Sequence, residues 1–571
     1  MIIGIDLGTT NSLASVWRDG GPVLIPNPLG ELLTPSCVSI DQDGGILVGQ
    51  AARERLQTHP HRTASVFKRH MGSEKTYRLA ERDYRPEELS ALVLKALKLD
   101  AEAFLGTEIT EAIITVPAYF SEAQRQATRA AGKIAGLRVE RLLNEPTAAA
   151  LAYGLHKLGA DTRFLVFDLG GGTFDVSILE MFEGVMEVRA SAGDNFLGGE
   201  DFRDVLVRQF FEKAGVPETL RSNPLFMQRC VEAAERAKKA LSTARYASMQ
   251  IGHGSEEYAA QLEESAFESG CADLLLRLRT PVERALRDTR LRSSELDDVV
   301  LVGGATRMPM VRKLATTMFG RFPSSHFDPD HVVALGAAVQ AGLKAKDKAL
   351  DDVVMTDVAP YSLGIEVVRR LSDGSISQGH FDPLIERNSV VPVSRVKNYA
   401  PVRQGQKQLP LEIYQGESRM VRDNIRLGTL TIELPPKASI QECATEVRFT
   451  YDVNGLLQVE ATLSHTGQTS SLVVEGNPGL LSEAEIAERL KALEQLKIHP
   501  RESTPNRTLL ARAERIYQLL KGPEREWLDQ QISEFERVLA SQDERQIATA
   551  RRALSSQLDQ LTQQPVLDDE R

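Results

Sequence analysis

Two stretches of the sequence combine an aspartate with glycines at the end of an apolar run. In Phe164–Asp175, four apolar residues lead into Asp168, and three glycines, Thr173 and Asp175 follow. Consecutive glycines let backbone N–H groups approach an anion closely. A carboxylate at a strand end suits Mg²⁺, which prefers one or two carboxylates with water and phosphate oxygens. The stretch predicts a loop for a Mg²⁺-nucleotide, and a plain glycine-rich hairpin is the alternative.

The same design occurs near the N-terminus. An apolar run there leads into Asp6, and Gly8, Thr9 and Thr10 follow. Asp6 and Asp168 are separated by about one domain length, so the duplication suggests two similar α/β lobes that face one nucleotide. Neither stretch has the GxxxxGK[ST] or GxGxxG pattern of other nucleotide loops.

Composition excludes several classes of protein. The chain has 571 residues, of which 42% are apolar and 26% charged, as in globular proteins of several domains. Its net charge of −11 argues against non-specific binding of nucleic acid and gives no support for an anionic-membrane partner. Four scattered cysteines without a CxxC pattern indicate free thiols in a reducing compartment. With no signal-peptide pattern and no long apolar run, the sequence predicts a cytoplasmic protein outside the membrane.

Secondary-structure patterns change twice along the chain. Strand and helix patterns alternate first, and they include a helix over Leu89–Leu105 and a capping box of Ser121 with Gln124. Short β runs broken by glycine and proline then predict an antiparallel sandwich, and helical patterns return after a second capping box of Ser482 with Glu485. The predicted domains are an α/β region at 1–348, a linker at 349–359, a β-sandwich at 360–478, helices at 479–562 and a disordered tail at 563–571.

Three further sets of charged residues have plain structural explanations as well as chemical ones. Lys68 stands alone in its segment, and a lone lysine is normally a solvated surface charge. Glu145 precedes Pro146 and could only stabilise the start of a helix through its charge. The third set has helical spacing, which is typical of a solvated helix face, and consists of Glu235, Lys238, Lys239 and Ser242.

Seven motifs together resemble the heat-shock protein 70 family of the DnaK type over nearly the whole chain. In the family's order, they are GIDLGTTNS, ITVPAYF, QRQAT, NEPTAAALAYG, DLGGGTFD, LGGEDF and LVGGATRMP. The stretches ADTRFLVFDLGGG, SAGDNFLGGEDF and IERNSVVPVSRV, with the short outline of the chain, are most similar to an HscC-like branch. The resemblance implies an actin-like two-lobed ATPase, then a peptide-binding sandwich and a short helical lid.

The resemblance also implies roles for residues at matching positions. Asp6 and Asp168 would hold Mg²⁺ through its waters, and Asp6 with Asp175 could also hold K⁺, so the metal-binding residues are Asp6, Asp168 and Asp175. Lys68 would orient the attacking water, Glu145 and Asp175 would complete the water network, and Thr173 would face the γ-phosphate. The positions matching the rest of the ATP/ADP site are Gly8, Thr9, Thr10, Asn11, Gly170, Gly171, Gly172, Gly198, Gly199, Glu235, Lys238, Lys239, Ser242, Gly303, Gly304, Arg307 and Asp330.

The same resemblance implies partners for the C-terminal half. The sandwich would bind unfolded or extended hydrophobic peptides, and a monomer would work with a J-domain co-chaperone that meets Arg141 and Asp357. The matching pocket positions, which could also be ordinary strand core, are Ile365, Val367, Val368, Tyr399, Val402, Leu409 and Leu411.

Four features depart from the family pattern. The chain is short between Gly72 and Leu89 and again at 249–261, which leaves open whether the usual nucleotide-exchange factor docks. Thr356 stands where the family prefers leucine, which predicts weaker interdomain coupling. The lid is short, which predicts that a bound peptide is held for a shorter time.

Pro410 falls inside a predicted strand and should face away from the ladder or sit at an edge.

Two other functions fit the N-terminal region alone. A small-molecule kinase could use the same loops, although it has no need of the C-terminal half. An actin-like filament protein is the third hypothesis. An ATP-driven peptide-binding chaperone accounts for both halves and is the prediction.

Overall fold

The computed structural model describes residues 1–56, 58–154, 161–182, 185–324, 327–350, 354–370, 375–435, 438–452, 455–474 and 504–563. These residues form two compact units. The first contains Met1–Ser362 and Glu386–Val391, and the second contains Leu363–Ile385, Pro392–Val474 and the helices within 504–563. No helix of the described ranges has both the length and the apolar character needed to cross a membrane.

The first unit opens with a six-stranded sheet in the order β11-β10-β1-β2-β3, with β4 paired to β2. Its strands are β1 (Ile2–Asp6), β2 (Asn11–Arg18), β3 (Gly21–Ile25), β4 (Thr34–Pro35), β10 (Glu111–Val116) and β11 (Arg138–Asn144). β1 pairs antiparallel with β2 and parallel with β10. The loop carrying Gly8, Thr9 and Thr10 therefore reverses the chain immediately after Asp6.

A second six-stranded sheet repeats this design, in the order β17-β12-β13-β14-β18-β21. Its strands are β12 (Thr162–Leu169), β13 (Phe174–Phe182), β14 (Val185–Asp194), β17 (Asp298–Val302), β18 (Val354–Val358) and β21 (Val390–Val391). β12 pairs antiparallel with β13 and parallel with β17, as β1 does with β2 and β10. The motif duplicated in the sequence is thus duplicated in the fold.

Smaller sheets and the helices complete the first unit. The small sheets contain β5 (Cys37–Ile40), β6 (Ile46–Val48) and β7 (Thr63–Ser65); β8 (Tyr77–Leu79) and β9 (Arg82–Tyr84); and β15 (Tyr246–His253) and β16 (Glu256–Glu263). The helices are α1 (Gln50–Glu54), α2 (Pro86–Leu105), α3 (Glu122–Ile134), α4 (Glu145–Gly154), α5 (Gly199–Lys213), α6 (Glu218–Arg221), α7 (Pro224–Ala240), α8 (Glu264–Gly270), α9 (Ala272–Thr289), α10 (Pro309–Phe319) and α11 (Val332–Lys344). The two regions where the chain is short for the family are the hairpins β8–β9 and β15–β16.

Local signals in the sequence account for the ends of several helices. The predicted helix at Leu89–Leu105 is α2, which begins three residues earlier with Pro86 at its first position. Ser121 and Gln124 form the predicted capping box of α3. Every residue of α4 is buried, and a Cβ on Gly336 of α11 would overlap the carbonyl of Ala148 in α4. Small residues therefore allow these two helices to pack closely.

The second unit contains two four-stranded antiparallel sheets, in the orders β20-β19-β23-β24 and β22-β25-β26-β27. The strands are β19 (Leu363–Arg370), β20 (Ile376–Ile385), β22 (Val393–Tyr399), β23 (Gln408–Gln415), β24 (Ile425–Glu433), β25 (Thr445–Tyr451), β26 (Leu457–Leu463) and β27 (Thr469–Val474). Pro410 pairs with Thr431 of β24, whereas β19 pairs with β23 only at Ile413–Gln415. The prediction for Pro410 is confirmed, because among the described strands β24 pairs with it on one side and β19 does not reach it on the other.

Within the described ranges, three helices follow the sheets: α12 (Thr504–Leu519), α13 (Pro523–Ser541) and α14 (Glu544–Gln563). They share an apolar core that includes Leu528, Phe535 and Leu558. At the end of α13, the Gln542 side chain donates to the Val396 carbonyl at 2.9 Å and accepts from the Val396 N–H at 3.2 Å. One amide group thus mimics strand pairing at the edge of β22.

Some predicted features lie partly or wholly outside the described residues. The capping box of Ser482 with Glu485 and the residues 564–571 of the tail are among them. The predicted linker 349–359 contains β18, which pairs with β14 at Val185–Glu187 and with β21 at Val390 and Val391. The predicted domain boundaries otherwise stay predictions.

Candidate active site

A cavity of about 550 Å³ in the first unit collects most of the residues predicted for the nucleotide site. It is lined by Asp6, Gly8, Thr9, Thr10, Asn11, Lys68, Glu145, Asp168, Gly170, Gly171, Thr173, Gly199, Glu235, Lys238, Lys239, Ser242, Gly303, Gly304, Arg307 and Asp330. Asp175, Gly172 and Gly198 belong to the predicted set but do not line the cavity. Residues from many separate parts of the sequence, between Asp6 and Asp330, therefore meet at one place.

The two glycine loops form one wall of this cavity and touch each other. A Cβ on Gly171 would overlap the Thr10 hydroxyl, and a Cβ on Gly198 would overlap the backbone of Gly171. Gly172 is closed in by Thr9 and by Arg69, whose Nε donates to the Gly172 carbonyl at 3.0 Å. The Thr10 hydroxyl is buried and has no hydrogen-bond partner within the described ranges. Close packing therefore requires glycine at these positions. The Thr10 hydroxyl is left as a buried polar group at the contact of the two loops.

Acidic side chains surround one lysine at the floor of the cavity. Lys68 is 2% exposed, and its Nζ lies 2.7 Å from Glu145 Oε1. Asp6 accepts a hydrogen bond from the Thr115 hydroxyl at 2.9 Å, and Asp175 accepts one from the Tyr119 N–H at 3.0 Å. Lys68 and Glu145, to which the resemblance gave separate roles, form a buried ion pair. A solvated surface position for Lys68 is excluded.

Burial of several carboxylates together shifts their protonation. Burial, reinforced by the Glu145 charge, raises the pKa of Asp6 to about 7 and that of Asp175 to about 8. The same two causes, with Asp175 and Asp6 themselves, raise the pKa of Asp168 well above its ordinary range. Lys68 lowers all three pKa values but only partly compensates. The cluster therefore contains more carboxylates than Lys68 alone can neutralise.

This donor set fits a magnesium ion held through water. Within the described ranges, no three acidic, thiol or imidazole groups are close enough to ligate one ion directly. Mg²⁺ commonly keeps several waters and binds through one or two carboxylates with phosphate oxygens. Asp6 and Asp168 line the cavity as candidates for holding the ion's water ligands, and this role stays a prediction.

The opposite end of the cavity is built from α7 and the turn after β17. Lys238 Nζ lies 2.7 Å from Glu235 Oε2 and donates to the Gly199 carbonyl at 2.9 Å. Its pKa is lowered by burial, which the Glu235 charge opposes. Arg307 donates to Asp330 Oδ2 at 2.7 Å, and Gly303 has a φ of +81°, where a Cβ would overlap the Leu169 carbonyl. The four residues predicted with helical spacing therefore line the cavity, although 68% of the Lys239 side chain is exposed.

A chain of contacts leads from β18 to the acidic cluster. The Asp357 carboxylate accepts from Asn144 Nδ2 at 2.9 Å, and the Asn144 carbonyl oxygen accepts from Arg125 at 2.6 Å. Asn144 directly precedes Glu145. The Tyr361 hydroxyl donates to the carbonyl of Tyr119, whose N–H donates to Asp175.

The two residues predicted to meet a co-chaperone have different neighbours. Arg141 donates to Gln340 of α11 at 3.0 Å, whereas Asp357 contacts Asn144. Asn144, Arg125 and Tyr361 were missed by the sequence-based prediction, because none of them stands out by type or spacing. The NEP motif begins with Asn144, but the sequence-based prediction gave a role only to its glutamate.

The predicted peptide-pocket residues fall into two groups in the second unit. Ile365, Leu409 and Leu411 are buried strand residues. Val368 and Val402 line an open groove of about 710 Å³. Val367 lies opposite His380 in the β19–β20 ladder, and the Tyr399 hydroxyl donates to Asp382 at 2.7 Å. Thus the set contains both core and groove residues.

Several residues of the two sites were not predicted. The nucleotide cavity is also lined by Leu33, Arg53, Met308 and Val333. Arg69 contacts Asp201 at the start of α5 as well as the glycine loop. The position of Arg69 beside Lys68 was the available signal, but a surface arginine was the plainer explanation.

Comparison with known proteins identifies the family. The family model described as Hsp70 protein matches residues 2–83 and 74–568. "Chaperone protein DnaK" of Thermotoga petrophila is 43% identical over 499 residues, which cover 85% of this chain and 82% of that protein. The DnaK proteins of Thermotoga neapolitana and Thermosipho africanus are also 43% identical, over 84% and 83% of this chain and 81% and 80% of their own lengths. The HscC-like branch stays a prediction.

These matches extend across both units, so neither a kinase nor a filament protein is required to explain the glycine loops. By sequence, and with a cavity suited to a nucleotide, the chain belongs to the Hsp70 family and is an ATP-hydrolysing chaperone of the DnaK type.

Proposed function

We propose that the cavity hydrolyses ATP and that the nucleotide state controls how the second unit binds and releases extended apolar peptides. The observation that carries this proposal is the Lys68–Glu145 pair, 2.7 Å apart, within the cavity that both glycine loops line. On this proposal the two six-stranded sheets belong to the lobes of an actin-like ATPase. The four-stranded sheets are its peptide-binding sandwich, and the helices α12–α14 belong to a lid.

The chemistry assigned to the chain is positioning rather than covalent catalysis. Phosphoryl transfer to water depends mainly on alignment and charge stabilisation. Lys68, held by Glu145, orients the attacking water, while the N–H groups of Gly170–Gly172 and the Thr173 hydroxyl hold phosphate oxygens. Asp6 and Asp168 would hold a Mg²⁺ ion through its waters, and that ion would neutralise phosphate charge. Asp6 and Asp175 would hold a K⁺ ion.

The proposed partners are extended peptides and a J-domain co-chaperone in the cytoplasm, acting on a monomer. The contact of Asp357 with Asn144, next to Glu145, supports a route from β18 to the hydrolytic residues. A partner that binds at Arg141 or Asp357 would act on this route. Coupling of this kind is a free-energy difference between two arrangements and is reciprocal between ligands.

Steady-state ATP hydrolysis tests the proposal directly. Turnover is measured in Mg²⁺ and K⁺, with and without a short apolar peptide and a J-domain protein. We expect both additions to raise turnover, and replacement of K⁺ by Na⁺ to lower it. Labelled γ-phosphate should appear as inorganic phosphate.

Separate outcomes would contradict separate parts. Hydrolysis that neither addition changes, together with no peptide binding in ADP, would contradict peptide coupling. Equal turnover in K⁺ and Na⁺ would contradict the K⁺ site alone. Transfer of the label to a small-molecule acceptor would contradict the assigned hydrolysis.

A further inference from the structure

The groove in the second unit has a positive charge on an otherwise acidic chain. The whole protein carries 68 basic and 79 acidic residues. Val368, Ile376 and Gln378 line the groove from one side, and Val402, Arg403, Gln404, Gly405 and Gln406 line it from the other. Within the described residues, no acidic side chain lines this groove. Apolar and amide groups therefore stand beside an arginine.

A second arginine lies on the opposite rim. Arg370 is directly opposite Ile376 in the antiparallel β19–β20 ladder. Directly opposite residues project from the same face with their Cβ atoms about 5 Å apart, so Arg370 lies beside groove-lining Ile376. Arg370 and Arg403 are exposed, and neither forms an ion pair with any residue that the structure describes.

Two described acids of the neighbouring strands have hydrogen-bond or ion-pair partners of their own. Glu366 Oε1 accepts from the Gly379 N–H at 3.1 Å and keeps its negative charge. Asp382 Oδ2 lies 2.7 Å from Lys397 Nζ and accepts from the Tyr399 hydroxyl, so this carboxylate is neutralised by its own lysine. Asp373 belongs to the segment 371–374, outside the described residues. Among the described residues that line the groove, the charged side chain is that of Arg403, and Arg370 adds a second positive charge beside Ile376.

We propose that this groove selects extended peptides in which an aliphatic side chain is flanked by aspartate or glutamate. The inference rests on the proposed function of the groove as the peptide site. Val368 and Val402 give the aliphatic side chain apolar surface on both sides, and Val402 is 43% exposed before a peptide covers it. An extended peptide advances about 3.3 Å per residue, so residues two or three positions from the aliphatic one reach the rims.

Arginine is well suited to this discrimination. Its planar guanidinium donates two parallel hydrogen bonds to a carboxylate and repels a lysine or arginine at the same place. Gln378 and Gln404 offer neutral donors and acceptors for a peptide backbone. The groove therefore attracts acidic flanks and disfavours basic ones without any further contact.

Binding of three matched peptides to the full-length protein tests this inference. The peptides share one leucine-rich core and carry glutamate, glutamine or lysine on both flanks, and fluorescence anisotropy is measured with ADP and Mg²⁺. We expect the glutamate peptide to bind about 3–10-fold more tightly than the glutamine peptide and the lysine peptide to bind most weakly. The preference should shrink as salt rises from about 0.05 to about 0.5 M, where exposed charges are screened.

Variants assign the preference to the two rims. Arg370→Glu with Arg403→Glu should reverse the order of the three peptides while the protein stays folded by circular dichroism. Arg370→Gln with Arg403→Gln should abolish the preference, so that the three peptides bind with similar affinity. Lys95→Glu, at an exposed position of α2 in the first unit, is the control. It changes the charge by as much as Arg370→Glu or Arg403→Glu alone and should keep the wild-type order of the three peptides.

The outcomes separate this inference from the function on which it rests. Equal affinity for all three peptides, or tightest binding of the lysine peptide, would overturn the inference and leave peptide binding intact. Failure of all three to bind, with ATP hydrolysis retained, would overturn the proposed peptide site itself. An unchanged order in the double-glutamate variant would assign the preference elsewhere and overturn the rim assignment.

Discussion

The acidic floor of the nucleotide cavity depends on Lys68. Its Nζ lies 2.7 Å from Glu145 Oε1 and 5.6 Å from the centroid of the Phe120 ring. Its charge lowers the pKa values of Asp6, Asp168 and Asp175. A buried cation among carboxylates is retained only when such contacts compensate its desolvation. This environment holds the ammonium group in one orientation, which is the condition for positioning a water.

Lys68→Ala should therefore lower ATP hydrolysis by about 10²–10³-fold, because a positioned charge is lost. ATP binding should change little, since the glycine loops and the α7 residues remain. Single-turnover hydrolysis and equilibrium binding of nucleotide measure the two effects separately. Lys75→Ala, which removes an exposed lysine over Tyr77 outside the cavity, is the control and should hydrolyse normally. Wild-type turnover in Lys68→Ala would contradict the role.

The burial of Asp100 makes the stability of the first unit depend on pH. Burial raises the pKa of Asp100, on α2, from 3.8 to about 6. Between these values the folded protein binds more protons than the unfolded chain, so the free energy of unfolding falls as pH rises through this window. Because Asp100 is only half-buried, solvent screening reduces this change in the free energy of unfolding to at most about 1 kcal/mol.

Asp100→Asn should consequently increase the free energy of unfolding at pH 7.5 and leave it nearly unchanged at pH 3.5. Urea denaturation of the first unit at both pH values measures this difference. Asp19→Asn replaces a carboxylate whose side chain is 89% exposed and should show no such pH-dependent gain. A wild-type protein that is as stable as Asp100→Asn at pH 7.5 would refute the expectation.

At the scale of elements, β18 is a strand that carries an unfavourable residue. Thr356 lies opposite Glu187 of β14, and its hydroxyl is buried with no hydrogen-bond partner in the described ranges. A buried unsatisfied polar group costs about 1–3 kcal/mol. The sequence-based prediction of weaker coupling at Thr356 thus acquires a physical reason, although the coupling itself stays a prediction.

Thr356→Val should increase the protection of β18 amides from hydrogen exchange by about tenfold, because valine keeps the shape and removes the unpaired hydroxyl. Exchange is measured by mass spectrometry on the intact chain. Thr431→Val, at an exposed position of β24, tests whether added β-propensity alone has this effect. Equal or faster exchange of β18 in Thr356→Val would show that the hydroxyl is not the cause.

At the scale of the whole molecule, each described hydrophobic cluster lies within one of the two units. The first unit is organised around its two six-stranded sheets and the α4–α11 contact, whereas α12–α14 of the second unit form a cluster of their own. A ligand that binds only the folded first unit stabilises that unit by mass action, by about 2.7 kcal/mol at a free concentration of 100 times Kd.

Differential scanning calorimetry should therefore resolve two transitions, and Mg²⁺ with ADP should raise only the one that belongs to the first unit. A chelator should remove the shift. Asp6→Asn should reduce it, because this variant weakens the water-mediated Mg²⁺ site, and Asp19→Asn should keep it. Equal shifts of both transitions, or a full shift in Asp6→Asn, would contradict the assignment of the ligand to this cavity.

Local patterns in the sequence were sufficient for features that depend on neighbouring residues. The apolar run, aspartate and glycines of each phosphate loop predicted a strand followed by a tight turn, and both are present as β1–β2 and β12–β13. Ser121 with Gln124 likewise predicted the start of α3. Strand ends, caps and turns are set by backbone sterics and short-range hydrogen bonds, which residue types at short spacing determine.

The tertiary structure alone decided which distant residues meet. Lys68 contacts Glu145 across 77 residues, and Asn144 contacts Asp357 across 213. The opposing rims of the second-unit groove are likewise assembled from separate strands and loops. Such contacts require the burial of whole sheets to offset the entropy of closing long loops, so their geometry is a property of the packed chain. The family resemblance indicated the glycine loops, whereas the two groove arginines, which have no ion pair with a described residue, and the buried hydroxyl of Thr356 became visible only in the folded structure.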